Sequence, residues 1–261
     1  MSDNVSKLRA LILNSGDIAG SAIAGALGFV AGGPVGAGVG AAAGTFIGKV
    51  VTKVGSDIHD SYLSPKEEAR IGAGVAIALS DIKRRLEAGE QLRNDGFFES
   101  KSDKRSDAED ILEGMLLKCK ATYEEKKVHY SSKFFSNISF QNDIDVNRAC
   151  YYLQVFEKLT YRQLCLLNIF NRVGNTLRSE SLTGKNGTPE QWLILQEIQD
   201  LKDLNLVYQG DADQKVTTVW GLGELVPAYL YGTAIGHELG ELFSLSEISD
   251  SDLTDITRLL L

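Results

Sequence analysis

Small residues, rather than large ones, set the first pattern along this chain. Every fourth position in the first fifth of the sequence is Gly or Ala: Gly16, Gly20, Ala24, Gly28, Gly32, Gly36, Gly40, Gly44 and Gly48. An α-helix turns 100° per residue, so positions four apart stay close to one face. A strip without side chains lets another backbone approach very closely, as in packed membrane helices. Larger apolar residues fall off the strip: Ile23, Leu27 and Val30 before Pro34, then Val35, Val39, Phe46 and Ile47 after it. The pattern predicts a glycine zipper, with the small strip facing protein and the larger residues facing lipid.

No residue between Asp17 and Lys49 is charged, a run of 31 positions. One untilted span needs only about 20 apolar residues. Gly32-Gly33-Pro34 is a natural break, so a helical hairpin is expected, with one long kinked helix as the alternative. Each interior glycine costs about 1 kcal/mol relative to alanine, which makes the segment a poor isolated helix in water. In a bilayer the backbone must bond internally and helix becomes obligatory. The modest hydrophobicity then favours insertion that depends on several copies packing together. A buried hairpin in a soluble protein and a flexible Gly-rich arm are the other readings of the same residues.

After this segment the period of large apolar residues takes over, and helix starts are marked by capping residues. Ser64-Pro65-Lys66-Glu67 reads as a capping box with Pro in the first turn, leading into the apolar run Ile71 to Leu79. That run is too short to span a bilayer and reads as a buried helix. Lys83-Arg84-Arg85 reads as a solvated face, and residues 94 to 107 as a loop. A second box, Ser106 to Glu109, precedes Ile111, Leu112, Met115, Leu116, Cys119 and Tyr123 at helical spacing, a predicted core stripe. Tyr130, Phe134, Phe135, Ile138 and Phe140 form an aromatic cluster that reads as a helix packing interface. A break at Asp143 to Asp145 precedes another amphipathic helix, Val146 to Leu159.

Thr160 to Gln163 and Thr188 to Gln191 are further boxes, opening helices over Leu164 to Val173 and through Leu204. The period then changes to that of short strands at Leu206 to Tyr208, Val216 to Trp220 and Ala228 to Tyr231. Thr233 caps a last predicted helix, Ala234 to Phe243. The expected class is mainly α, divided into a zipper segment (1–60), a charged helical bundle (61–159) and an α+β subdomain (160–261).

Composition changes this picture in one respect. The net charge is −8, and from Lys185 onward four basic residues face thirteen acidic ones. Phosphate backbones are repelled there, so a nucleic-acid partner is not expected. Cys119, Cys150 and Cys165 lie in apolar helical patterns and are expected to be buried free thiols. Leu11-Ile12-Leu13 is too short for the core of a secretory signal, so a cytoplasmic protein that reaches the inner membrane from that side is expected.

Candidate chemistry is sparse. Gly38 to Ala43 nominally fits G-x-G-x-x-A, but no strand pattern precedes it, and Gly48-Lys49 lacks the rest of a P-loop. His237-Glu238-Leu239-Gly240-Glu241 has Glu where a zincin helix has its second His. No catalytic residue, metal or cofactor is expected, and the chain does not read as an enzyme.

Two resemblances follow from these residues. The order helix, helix, β-hairpin, helix, with Leu204-Asn205-Leu206-Val207 and Thr233-Ala234-Ile235-Gly236 before a Leu-rich helix, resembles a winged-helix domain. The acidic balance departs from its DNA-binding members, since residues 189 to 204 supply only Lys202. The resemblance therefore implies a protein-interaction or structural winged helix. The whole chain, a glycine zipper feeding a charged helical body, resembles bacterial membrane-active, pore-forming effectors, including those of abortive-infection and anti-phage defence. It implies a homo-oligomer acting on membrane lipid, held back by the body until a protein partner or trigger releases it. The rival readings are a soluble adaptor or transcriptional regulator whose winged helix binds a partner or DNA, and a constitutive small membrane protein.

Overall fold

Helix α1 (Pro65–Glu87) starts where the sequence places its cap: the Ser64 side chain accepts from the Glu67 amide, and Glu67 reaches back to the Ser64 backbone. These hydrogen bonds hold the Glu67 carboxyl below its ordinary range. In the computed structural model the described residues are 49–51, 53, 54, 57, 58, 63–100, 104–172, 177–182, 188–210 and 225–261. Over these residues the chain is mainly helical with one two-stranded sheet. It divides into two compact units after Glu157.

In the first unit α1 is buried without a break from Ala69 to Ala78, the mark of an interior helix rather than an amphipathic surface one. It packs most extensively on α3 (Lys126–Ile138) and then on α2 (Asp107–Ala121). Gly74 permits the closeness of α2, since a Cβ there would sit 3.2 Å from the Cys119 sulfur. On α3, Phe134, Phe135 and Ile138 are fully buried, so the predicted aromatic cluster is a packing interface; Phe140, just beyond the helix, lies under the Arg85 guanidinium at 3.9 Å. α4 (Val146–Lys158) buries Ala149, Tyr152, Leu153, Val155 and Phe156. The loop between α1 and α2 is tied down by Arg93, which donates to the carbonyls of Ile138 and Ile144 and stacks on Phe97.

One ion cluster fixes α1 against α3. Asp81 accepts from Lys133 at 3.0 Å, Ser136 at 2.6 Å and Arg84 at 2.6 Å. Burial works against the Asp81 charge, but the hydrogen bonds from Arg84 and Ser136 and the Lys133 charge outweigh it and bring the carboxyl from 3.8 down to about 2.

The structure corrects three expectations in this unit. Tyr123 is not core but 81% exposed, because α2 ends at Ala121 and the chain turns to extended geometry at Thr122. Cys150 is exposed, since it points off the Ala149–Leu153–Phe156 face of α4. Arg85 is not a solvated charge but lies over Phe140 and bonds Glu90 and Asn137.

The second unit is built around α5 (Tyr161–Asn171), apolar on nearly all sides from Leu164 to Phe170 except for the buried Asn168. It packs on α6 (Pro189–Asp203), strand β2 (Leu230–Gly232), α7 (Ala234–Leu242) and α8 (Asp250–Leu260). α6 ends at Leu204, and Asn205 takes a left-handed φ of 55° that turns the chain into β1 (Val207–Gln209), a common helix-stop geometry. β1 and β2 pair antiparallel, Val207 with Gly232, Tyr208 with Tyr231 and Gln209 with Leu230. The observed strands are displaced by one to two residues from those predicted, and Val216 to Trp220 lies outside the described residues. Thr233 caps α7 and also donates to the Asn205 carbonyl at 2.6 Å. Gly236 is required here, because a Cβ would fall 2.0 Å from the Leu206 carbonyl oxygen.

Replacing Asp81 by Asn removes the buried charge that Lys133, Ser136 and Arg84 bond and should cost about 3 kcal/mol in urea unfolding at neutral pH. The depressed carboxyl supplies stability that is complete above the unfolded value near 3.8 and is lost as pH falls toward about 2. The wild type should therefore show an acid-dependent loss over that window that Asp81→Asn lacks, measurable by titrating the unfolding midpoint.

Candidate functional site

The nine zipper positions (Gly16, Gly20, Ala24, Gly28, Gly32, Gly36, Gly40, Gly44 and Gly48) lie outside the described residues. So do the predicted lipid-facing residues Ile23, Leu27, Val30, Val35, Val39, Phe46 and Ile47. What the structure does describe is the root of that segment. The described residues between Lys49 and Ile58 are helical, and Val50, Val51, Val54 and Ile58 are all buried. Positions 50, 54 and 58 share one helical face, so this face is seated in the first unit. Among the described residues, no helix is long and apolar enough to cross a membrane.

Beside that apolar strip run two opposite charges one turn apart, Lys53 and Asp57, and each meets its counter-charge at the start of α2. Lys53 Nζ lies 2.6 Å from Glu109 Oε2, whose side chain is only 6% exposed, while Lys53 itself is 48% exposed. Arg105 places Nη2 3.5 Å from Asp57 and Nε 3.7 Å from both Glu109 and Asp110, and bonds Glu113 through Nη1 at 2.5 Å. Arg105 Nε and Nη2 are buried without a hydrogen-bond partner. They are held by charge alone.

The local sequence explains how Glu109 comes to be there. Ser106 caps α2 by accepting from the Glu109 amide at 3.2 Å, as the capping motif predicts. The reciprocal half of the box is not formed, which corrects the second predicted capping box. The Glu109 carboxylate turns instead to Lys53 and to the Ser100 hydroxyl at 3.5 Å. Three acidic residues in this first turn, Asp107, Glu109 and Asp110, also suit the positive end of the helix dipole. Lys53, Asp57 and Arg105 carried no motif, so sequence reasoning passed over them. The only available signal was their opposite charge at a spacing of four.

The second unit offers an open groove of about 500 Å3 between the start of α5 and α6, lined in part by Leu159, Leu193, Glu197, Asp200 and Leu204. Leu193 is 50% exposed, whereas Glu197 is drawn in by Arg162 at 2.7 Å and Asp200 accepts from Gln163 at 3.1 Å. On the outer face of the sheet Tyr208 and Tyr231 form an exposed cross-strand pair with ring centroids 5.8 Å apart. Glu197, Asp200 and Asp203 make the groove lining mainly acidic, with Lys158 at its edge.

Burial pushes the Cys119 thiol up to about 12, beyond use as a nucleophile. Burial and the nearby Asp110 and Asp107 charges likewise raise Cys150. His129 is buried edge-on against Tyr130, and His237 is exposed on α7 beside Gly232. Compared with known proteins, the chain matches no protein-family model, no curated protein and no solved structure.

The seating of the root is directly testable. Val54→Asp puts an unpaired carboxylate into a fully buried position and should cost about 3 kcal/mol or more in urea unfolding of the full chain. A root that lay loosely on the surface would tolerate the change within about 0.5 kcal/mol.

Proposed function

We propose that this chain is a non-enzymatic, membrane-active effector whose glycine-zipper segment inserts and oligomerises to permeabilise the inner membrane from the cytoplasmic side, under the control of its helical body. The observation that carries the reading is the register of nine small residues from Gly16 to Gly48 in a run free of charge. Such a strip suits the close helix packing of membrane assemblies. The buried root supports it in a second way: Val50, Val51, Val54 and Ile58 give the body a hold on the segment. A role in abortive infection or anti-phage defence fits an effector that must stay restrained until triggered.

For the second unit we read a winged-helix-like module that receives a protein partner or trigger. The order α5, α6, β1, β2, α7 and the left-handed turn at Asn205 favour it. The exposed Tyr208–Tyr231 pair and the acidic groove favour protein over nucleic acid. The same surface is the observation behind the rival reading, a soluble adaptor or regulator in which the Gly-rich arm is merely packed.

Expression in a bacterium loaded with a membrane-potential dye separates the two. Full-length protein should depolarise the cells, and residues 49–261, which keep the buried root, should not. Gly28, Gly36 and Gly44 changed together to Leu should also abolish depolarisation, although the segment becomes more hydrophobic. Depolarisation by neither form of the wild-type chain, or equally by both, overturns the membrane reading.

A further inference from the structure

The root of the glycine segment is bound to α2 by two ion pairs of crossed polarity. Lys53 faces the buried Glu109 at 2.6 Å, and one turn later Asp57 faces Arg105 at 3.5 Å. This crossing admits one register only. A slip of one helical turn would bring Asp57 against Glu109 or Lys53 against Arg105, like charges near a buried site. The contact is therefore either made in full or lost in full, with Val50, Val51, Val54 and Ile58 leaving their buried positions together.

The α2 side is equipped for the loss. Arg105 already bonds Glu113 and lies 3.7 Å from Glu109 and Asp110. When the root departs, the buried Glu109 charge still has a guanidinium beside it, and Arg105 keeps Glu113 of α2 as a partner. Breaking a buried pair is most costly when a charge is left alone; here neither is. The accessible half of the contact is Lys53, which is about half exposed and within reach of a competing anionic group.

We propose that the Lys53–Glu109 and Asp57–Arg105 pairs are an autoinhibitory catch that retains the root of the glycine segment, so that opening them frees the segment for assembly. The regulatory consequence rests on the membrane reading above, whereas the catch itself does not.

Amide exchange and vesicle leakage, both on the full chain, test the two separately. Glu109→Gln should speed exchange across residues 49–58 by about tenfold or more, while α1 and α3 keep their protection. Lys53→Gln, a change at a half-exposed residue, should do the same more mildly and guards against misfolding of the first variant. On vesicles of phosphatidylethanolamine and phosphatidylglycerol, both single variants should release dye at several-fold lower protein concentration than the wild type. Exchange at 49–58 that is unchanged in both single variants overturns the catch. Faster exchange with no dye release from any form upholds the catch and overturns the membrane reading instead.

Discussion

Burial of α1 on every side from Ala69 to Ala78 is the constraint on which the first unit depends. A helix with no solvent face must be covered by its neighbours, and α1 carries small residues where they come closest. Gly74 admits the Cys119 side chain of α2, and the alanines at 69, 73, 76 and 78 leave room elsewhere. The large side chains come both from α1 itself, at Ile71, Val75 and Ile77, and from outside, from Phe134 and Phe135 of α3 and Ile111, Leu112, Met115 and Leu116 of α2. Small and large residues interdigitate at the density interiors require.

Apolar packing alone does not choose among rotations and shifts of such a helix. That choice falls to charges taken out of water, each of which must be matched. Asp81 can be satisfied in only one placement of α1, where Lys133 and Ser136 come from α3 and Arg84 folds back from its own helix. Glu109 plays the same part for the root of the glycine segment, which reaches it through Lys53. Arg93 does so for the α1–α2 loop, by capturing the two carbonyls at Ile138 and Ile144. In each case one buried charge pins one element to another.

What the sequence makes legible follows from how local each determinant is. Helix starts at Ser64, Thr160, Thr188 and Thr233 need only a hydroxyl and the amide three residues on, so their residues announce them. The helical stripe through Ile111, Leu112, Met115, Leu116 and Cys119 is likewise local. Its continuation to Tyr123 was not, because the last turn was ended by Thr122 rather than by a Gly or Pro. Cys150 and Arg85 escaped for a related reason: exposure depends on which neighbouring element arrives. Lys53, which pairs with Glu109, and Lys133 and Ser136, which bond Asp81, stand more than fifty positions from those carboxylates, and no spacing rule reaches so far. The charged seat at Lys53, Asp57 and Arg105 was thus not legible at all, whereas the glycine register is read from the sequence alone, its residues lying outside those described.

The two halves bear on each other energetically. A segment with a glycine at nearly every third position pays about 1 kcal/mol for each in helix propensity, and lipid returns little to Gly and Ala side chains. On the proposed function, insertion of a single copy is therefore close to neutral, and the gain comes when small-residue strips pack on one another. A restraint of a few kcal/mol on each copy is small beside the folding of the body, yet it multiplies with every copy that must be released. On the proposed function the restraint thus sets a threshold instead of a slow leak. Below it scattered releases reseat, because Val50, Val54 and Ile58 have their buried places to return to; above it released copies find each other first.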